Sequence, residues 1–254
     1  MTIDTNHSRR IVAYLRAVMP YDAIRVGPFA VLFDPDSDNR YRNYAIPDDG
    51  AEPSPDDVQG LIAAFESRGR LPRFEYVPDL APAVLPALSS AGFKAEGFLP
   101  LMVCNKTAFR SPAPAHGAAL ALVTSDSDLE AAARVQNEAY DSPEPTKADF
   151  DRLRRIVERG GAVALARDTA SGEAAGSGLY TAPLHSVTEI AAIGVREKFR
   201  RRGIAAAVTG LLTGDALARG VETALLMAVS ETEAEIYKKT GFELCGTILH
   251  IARE

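Results

Sequence analysis

Apolar and polar positions along the chain follow two periods, and the breaks between them mark most of the elements. In the second half, 118–123 is a short apolar strand. Ser127-Asp128-Leu129-Glu130 then has the form of a capping box, with Ser127 and Glu130 meeting opposing amides at the start of a helix that runs to about Tyr140. A second helix follows Thr146, with Phe150, Leu153, Ile156 and Val157 at helical spacing. Segments 162–166, 174–181 and 188–195 read as strands. An Ala-rich helix spans 204–219 and is stopped by Gly220. A buried strand at 221–229, a short helix at 231–240 stopped by Gly241, and a last strand at 242–251 complete this half.

The first half is thinner. Strands are predicted at 29–33, 41–46, 74–77 and 99–104, and helices after Ser54-Pro55-Asp56-Asp57 and at 83–91. The first of those helices has a cap, an N1 proline and first-turn acids. Between the halves, Ser111-Pro112-Ala113-Pro114-Ala115-His116-Gly117 lacks any periodic pattern and reads as a linker. The expected domains are therefore 1–110 and 118–254, joined by 111–117. A faint repeat links them: Gly92-Phe93 followed by Gly97 matches Gly241-Phe242 followed by Gly246, each after a helix. Each glycine suits a left-handed helix stop and each Phe a core plug at the next strand.

Composition narrows the class. Of 254 residues, 46% are apolar and 24% charged, which excludes a disordered or coiled-coil chain. A net charge of −6 argues against a dedicated nucleic-acid binder. Cys104 and Cys245 form neither a disulfide framework nor a metal-ligand pattern, so no metal is expected. Without a basic leader or a long apolar run, the chain is expected in the cytoplasm, away from membranes.

One segment departs from this plain picture. A strand ending Ile193-Gly194-Val195 feeds a loop, Arg196 to Arg202, that holds five of the chain's 28 Lys and Arg, and the loop opens a helix at Gly203. Such a helix start presents unpaired amides and the positive end of the macrodipole, a ready anion site. No Gly-Lys-Ser/Thr follows the glycine, which excludes a Walker-type loop, and a dinucleotide fingerprint would need three spaced glycines. A solvated basic turn and a nucleic-acid patch are the alternatives, the latter disfavoured because Phe199 is the lone aromatic.

Arg200-Arg201-Arg202-Gly203-Ile204-Ala205 resembles the signature of the GNAT superfamily of acetyl-CoA-dependent N-acyltransferases. The resemblance implies a mixed α/β fold with a mostly antiparallel central sheet flanked by helices. It implies that the backbone of Ile193, Gly194 and Val195 pairs with a pantetheine arm, and that amides from Arg200 to Ala206 cradle the pyrophosphate of acetyl-CoA. Downstream, Tyr237 stands four residues before Gly241-Phe242, where the family places a tyrosine that protonates the departing thiolate; the alternative is a tyrosine that anchors its helix. The family often has Asn where this chain has Ser230. Ser230 can cap the helix with Glu233 completing a box, although an amide contact to the cofactor would be weakened. Glu189 stands where several members carry a base, with an outward-facing strand residue as the alternative. His185 is a second candidate base and His250 a weaker one, while Tyr140 and Tyr180 are candidates for lining the acceptor pocket.

In the first half the corresponding loop is Pro47-Asp48-Asp49-Gly50-Ala51-Glu52-Pro53, acidic and without arginine, and Leu88 stands at the tyrosine position. The chain thus resembles tandem proteins of this superfamily with a smaller, degenerate N-terminal copy. The implied activity is transfer of an acetyl group to a primary amine, small molecule or peptide, by direct attack. A homodimer is compatible with it. The alternative is an acyl-CoA-binding sensor or scaffold without turnover.

Overall fold

The computed structural model describes residues 5–18, 23–35 and 37–254. In chain order the elements are α1 (Thr5–Ala17), β1 (Ile24–Val26), β2 (Phe29–Leu32), β3 (Tyr44–Pro47), α2 (Pro55–Glu66), β4 (Arg73–Tyr76), α3 (Val84–Ser90) and β5 (Lys94–Cys104). They continue with β6 (Ala118–Val123), α4 (Asp126–Ala139), α5 (Lys147–Glu158), β7 (Ala162–Asp168), β8 (Ala174–Tyr180), β9 (Val187–Val195) and α6 (Ile204–Ala218). The last three are β10 (Thr223–Met227), α7 (Glu231–Lys238) and β11 (Glu243–Ala252). The fold is mixed α/β with helices packed on mostly antiparallel sheets, as expected.

Two compact units divide the chain, and their boundary differs from the expected one. The first comprises 1–101 together with 245–254, and the second 102–244. The terminal strand β11, expected in the second domain, belongs largely to the first, where it pairs antiparallel with β4 through Leu249↔Tyr76 and Ile251↔Phe74. Its alternating apolar residues enter the first unit's core: Leu249 and Ile251 are fully buried among Phe29, Phe65, Phe74 and Phe93. Nor is 111–117 a free tether. Ala115 is buried in the second unit's core, and Pro112 lies over Gly210 of α6 so closely that a Cβ there would meet its Cδ at 2.3 Å.

In the first unit the strand order is β1-β2-β3-β4-β11-β5; the pairs β1/β2, β2/β3 and β4/β11 are antiparallel and β3/β4 is parallel. The second unit has the order β10-β9-β8-β7-β6, with β9/β10 as its parallel pair. Each parallel pair is joined by a helical crossover, α2 in one and α6 in the other, the length a parallel connection requires. Each is followed by a short helix, a glycine, a buried phenylalanine and a long strand. Gly92 (φ +87°) and Gly241 (φ +92°) are both left-handed, and Phe93 and Phe242 are both buried. The short repeat read from the sequence therefore extends to the order of elements.

Some boundaries move. The predicted strand 41–46 begins at Tyr44, because Asn39 accepts a bond from the Tyr41 N–H and folds 40–42 into a 3-10 turn. The cap of α4 is Ser125, whose hydroxyl accepts from the Asp128 N–H, and not the expected Ser127 with Glu130. α1 is not among the elements expected from the sequence, although Ile11, Val12 and Leu15 bury one face of it. No helix among the described residues is long and apolar enough to cross a membrane.

Candidate active site

The site forms where β9 leaves its parallel neighbour. Pairing of β9 with β10 runs from Val187↔Thr223 to Glu189↔Leu225, and β9 then continues to Val195 paired with β8 only. Ala192 takes φ +53°, and the register against β8 slips between Ser177 and Leu179, so two β9 residues oppose one on β8. Such a bulge bends its strand and re-aims the residues beyond it. Past the bulge, Gly194 lies opposite Ser177, and the Arg196 N–H donates to the Ala175 carbonyl. The alternate backbone groups, those of Ile193 and Val195, point away from β8 toward the opened side. Their carbonyls are met there by side chains: the Tyr140 hydroxyl donates to Ile193 O at 3.2 Å and Arg200 Nε to Val195 O at 3.2 Å. Gly194 permits the close approach of α4, since a Cβ would lie 2.7 Å from that of Ala139.

The loop after β9 is held from below and open above. Phe199 is buried and anchors it in the core. Of its five cations, Arg196 pairs with Glu138 at 2.8 Å, Lys198 with Glu173, and Arg202 with Asp168 at 2.7 Å. Arg202 also donates to the carbonyls of His116 (2.9 Å) and Gly117 (2.6 Å), which pins the expected linker to the loop. Its side chain is thus structural, and only its backbone remains for a phosphate. Arg200 and Arg201 are exposed. Gly203 caps α6 at φ +77° with no side chain filling the cap, and Ile204 is buried while Ala205 and Ala206 are partly open. The 15-residue α6 therefore presents unfilled amides and about half a positive charge beside two exposed arginines.

The equivalent helix start in the first unit is closed. Ser54 accepts from the Asp57 N–H, and the Asp57 carboxylate accepts from the Ser54 N–H, a complete capping box. The Ser54 hydroxyl, which donates to the same carboxylate at 2.6 Å, and then the Ser54 N–H hold the Asp57 carboxyl below its ordinary value. Ahead of it, Asp48 pairs with Arg25 and Asp49 with Arg16 at 2.7 Å. Carboxylates occupy the place where the second unit offers amides and arginines.

At the far end of the opened strand, Ser230 caps α7 by accepting from the Glu233 N–H, as expected. The expected box is not completed, because the Glu233 carboxylate turns to the Val229 N–H and the Tyr237 hydroxyl instead of the Ser230 N–H. Glu233 does something more. One carboxylate oxygen accepts from the Val229 N–H at 2.7 Å, and the other from the Tyr237 hydroxyl at 3.1 Å. Tyr237 is 4% exposed and stacks edge-on with Phe242 at 6.3 Å. Burial, and then the Glu233 charge, push its hydroxyl well above the ordinary tyrosine value. Burial and the same charge push the Tyr140 hydroxyl up to about 12, although its ring is half exposed. Glu233, Tyr237, Tyr140 and the Ile193 carbonyl thus form one cluster.

The acetyltransferase (GNAT) family model matches residues 129–242. This stretch is a GNAT domain. Over the whole chain, a GCN5-related N-acetyltransferase from Kribbella flavida is similar with TM-score 0.78 at 23% identity, covering 97% of this chain and 95% of that one. One from Sphaerobacter thermophilus gives 0.69 at 20% identity over 95% and 84%. A tandem GNAT protein from the clavulanic acid biosynthesis pathway gives 0.62 at 11% identity over 100% and 97%. At these identities the likeness is one of fold. No curated protein matches the sequence.

Within the GNAT domain the other candidates are sorted by the same geometry. Glu189 precedes the bulge, half-buried on β9, and alternation with Ile190 puts it on the face that carries α4. Its N–H donates to the Thr181 hydroxyl at 3.1 Å. His185 is exposed in the turn before β9 at φ +50°. Tyr180 is not a pocket residue. It is fully buried on the α6 face and donates its hydroxyl to Asp215 at 2.6 Å. His250 belongs to the first unit, buried with Nδ1 2.9 Å from Arg73. The group that sequence reasoning missed is Glu233 in its role beside Tyr237. The four-residue spacing that puts both on one helix face was there to be seen.

Proposed function

We propose that the second unit binds acetyl-CoA and transfers its acetyl group to a primary amine by direct attack. The observation that carries this reading is the opened end of β9. Outward backbone at Ile193 and Val195, the unfilled α6 start at Gly203 and the buried Tyr237 together support it. When bound, acetyl-CoA supplies a thioester-activated acetyl group.

Each of the chain's own residues then has a task. Amides from Arg200 to Ala206, with the Arg200 and Arg201 side chains, hold the pyrophosphate. Backbone at Ile193, Gly194 and Val195 extends as a strand toward the pantetheine arm, with Tyr140 and Arg200 yielding the carbonyls they now cover. Amides near Val195 stabilise the negative charge that develops on the carbonyl oxygen. Tyr237, protonated at neutral pH, donates to the departing sulfur. The amine proton needs a carboxylate, and Glu189 is the residue to which the sequence points. Ser230 keeps the α7 start in place. Self-capping in the first unit supports a degenerate copy of a tandem pair, one that does not bind the cofactor.

Calorimetric titration of acetyl-CoA into the wild type and Gly203→Glu tests the binding. One site per chain, lost in the folded variant, is expected; no binding to the folded wild type would overturn the reading. Turnover with a panel of amines, lost in Tyr237→Phe while binding persists, separates an enzyme from a protein that only holds acyl-CoA.

A further inference from the structure

We infer that Glu233, and not Glu189, is the base of this reaction, and that it works with Tyr237 as a closed proton relay from the amine to the sulfur. The inference rests on the acetyl-transfer reading above. Glu233 is only half-buried at the first turn of α7, and each carboxylate oxygen, with one bond accepted, has a second lone pair for an arriving amine. The other contacts fix its orientation: the Val229 N–H holds one oxygen and the Tyr237 hydroxyl donates to the other.

The chemistry of the pair explains why they would act together. Burial strengthens the phenol's hold on its proton, and a neighbouring carboxylate that accepts from it does so further. Alone, such a tyrosine is a poor acid toward a thiolate, whose conjugate acid has an ordinary pKa of about 8.5. Protonating Glu233 removes that obstacle, since the carboxyl then neutralises the tyrosine oxygen as its proton leaves.

The steps balance. The amine nitrogen bonds to the acetyl carbon, and its proton passes to Glu233. The carbon–sulfur bond breaks with its electron pair on sulfur, Tyr237 gives the sulfur its proton, and Glu233 returns the amine's proton to Tyr237. Amide and thiol are formed, and both residues end as they began. Glu189 lies ahead of the bulge with its amide engaged by Thr181, whereas Glu233 touches the acid it must recharge.

The test is steady-state kinetics with an amine that the wild type acetylates. Glu233→Gln keeps the shape and removes the base. Its kcat should fall about 100-fold or more, with the acetyl-CoA KM within about twofold of wild type. Tyr237→Phe should fall similarly, and the double variant should be no slower than the slower single, as residues acting as one unit are non-additive. Glu233→Ala should regain turnover when formate is added, which restoring a purely structural contact would not achieve. A Glu233→Gln rate within about threefold of wild type, or penalties that multiply in the double variant, would overturn the relay while leaving the acetyl-transfer reading intact. So would loss of turnover in Glu189→Gln with Glu233→Gln unaffected. A wild type that binds acetyl-CoA but acetylates no amine would overturn both.

Discussion

Arg202 shows how a residue of the right type in the right motif can serve the scaffold. Its guanidinium bonds to Asp168 and to the carbonyls of His116 and Gly117, so the loop reaches a ligand only through its backbone there. The Arg202 bond, then those from Ser171, hold the Asp168 carboxyl at about 2. An unfolded aspartate titrates near 3.9, so the folded value is the lower one. The pair's contribution is full above about pH 4 and is lost as the pH falls toward about 2. Melting of Asp168→Asn against wild type should show a gap at neutral pH that narrows through this window; a gap constant with pH would rule out the ion pair as its source. Gly203, by contrast, caps α6 at the place proposed for the pyrophosphate. Glutamate there places a bulky anion at φ +77°, and acetyl-CoA binding should be lost beyond detection by calorimetry.

Among the elements, the two helix–glycine–phenylalanine–strand units allow a controlled comparison. Gly92 and Gly241 share a left-handed backbone, so alanine at either carries a strain of about 1–2 kcal/mol. Their surroundings differ. A Cβ at Gly92 meets only Arg253 Nε at 3.8 Å, whereas one at Gly241 would lie 2.2 Å from the Ala108 carbonyl oxygen. Denaturant titration should find Gly241→Ala clearly the more destabilising; equal losses would mean that the 105–110 segment moves aside freely. The helix starts make the complementary pair. Ser54 and Asp57 fill the amides of α2, and an acidic loop precedes them, whereas α6 opens on an unfilled glycine cap. That contrast was legible before any fold, because capping residues and loop charge are local. The Glu233–Tyr237 bond was legible in spacing alone. Its importance was not, since the approach of Tyr140 depends on α4 packing over Gly194.

For the whole molecule, the domain boundary decides which pieces can stand alone. A chain begun at residue 118, as the Pro-rich segment suggests, would lose Met102, Cys104 and Ala115 from the second unit's core. It would also retain a strand whose Leu249 and Ile251 belong to the other unit's core. Such a piece should be insoluble or lack a cooperative melt, measured by circular dichroism. A soluble, acetyl-CoA-binding 118–254 fragment would show that the second unit folds without residues 102–117 and tolerates an unpaired β11. Acetyl-CoA should bind the intact chain at one site, because α6 opens on unfilled amides beside exposed arginines while α2 fills its own.

What the sequence alone determined were the features set by nearest neighbours. Glycine stops at 92, 220 and 241, the Ser230 and Ser54 caps, the helix after the basic loop and the strand before it all rest on φ/ψ preference and short-range periodicity. Periodicity could also have found α1, whose Ile11, Val12 and Leu15 share one face. Tertiary structure decided everything that needs a distant partner. Alternation marks 243–252 as a strand, but only register against Phe74 and Tyr76 assigns it to the first unit. Five cations in the loop look equivalent in one dimension, and Glu138, Glu173 and Asp168, all from earlier in the chain, take three of them and leave Arg200 and Arg201 exposed. Ala192 reads as an ordinary strand residue until its pairing with β8 slips. Local conformation is dictated by a few adjoining residues, whereas pairing, charge neutralisation and the bulge that opens β9 are settled by contacts that exist only once the chain has folded.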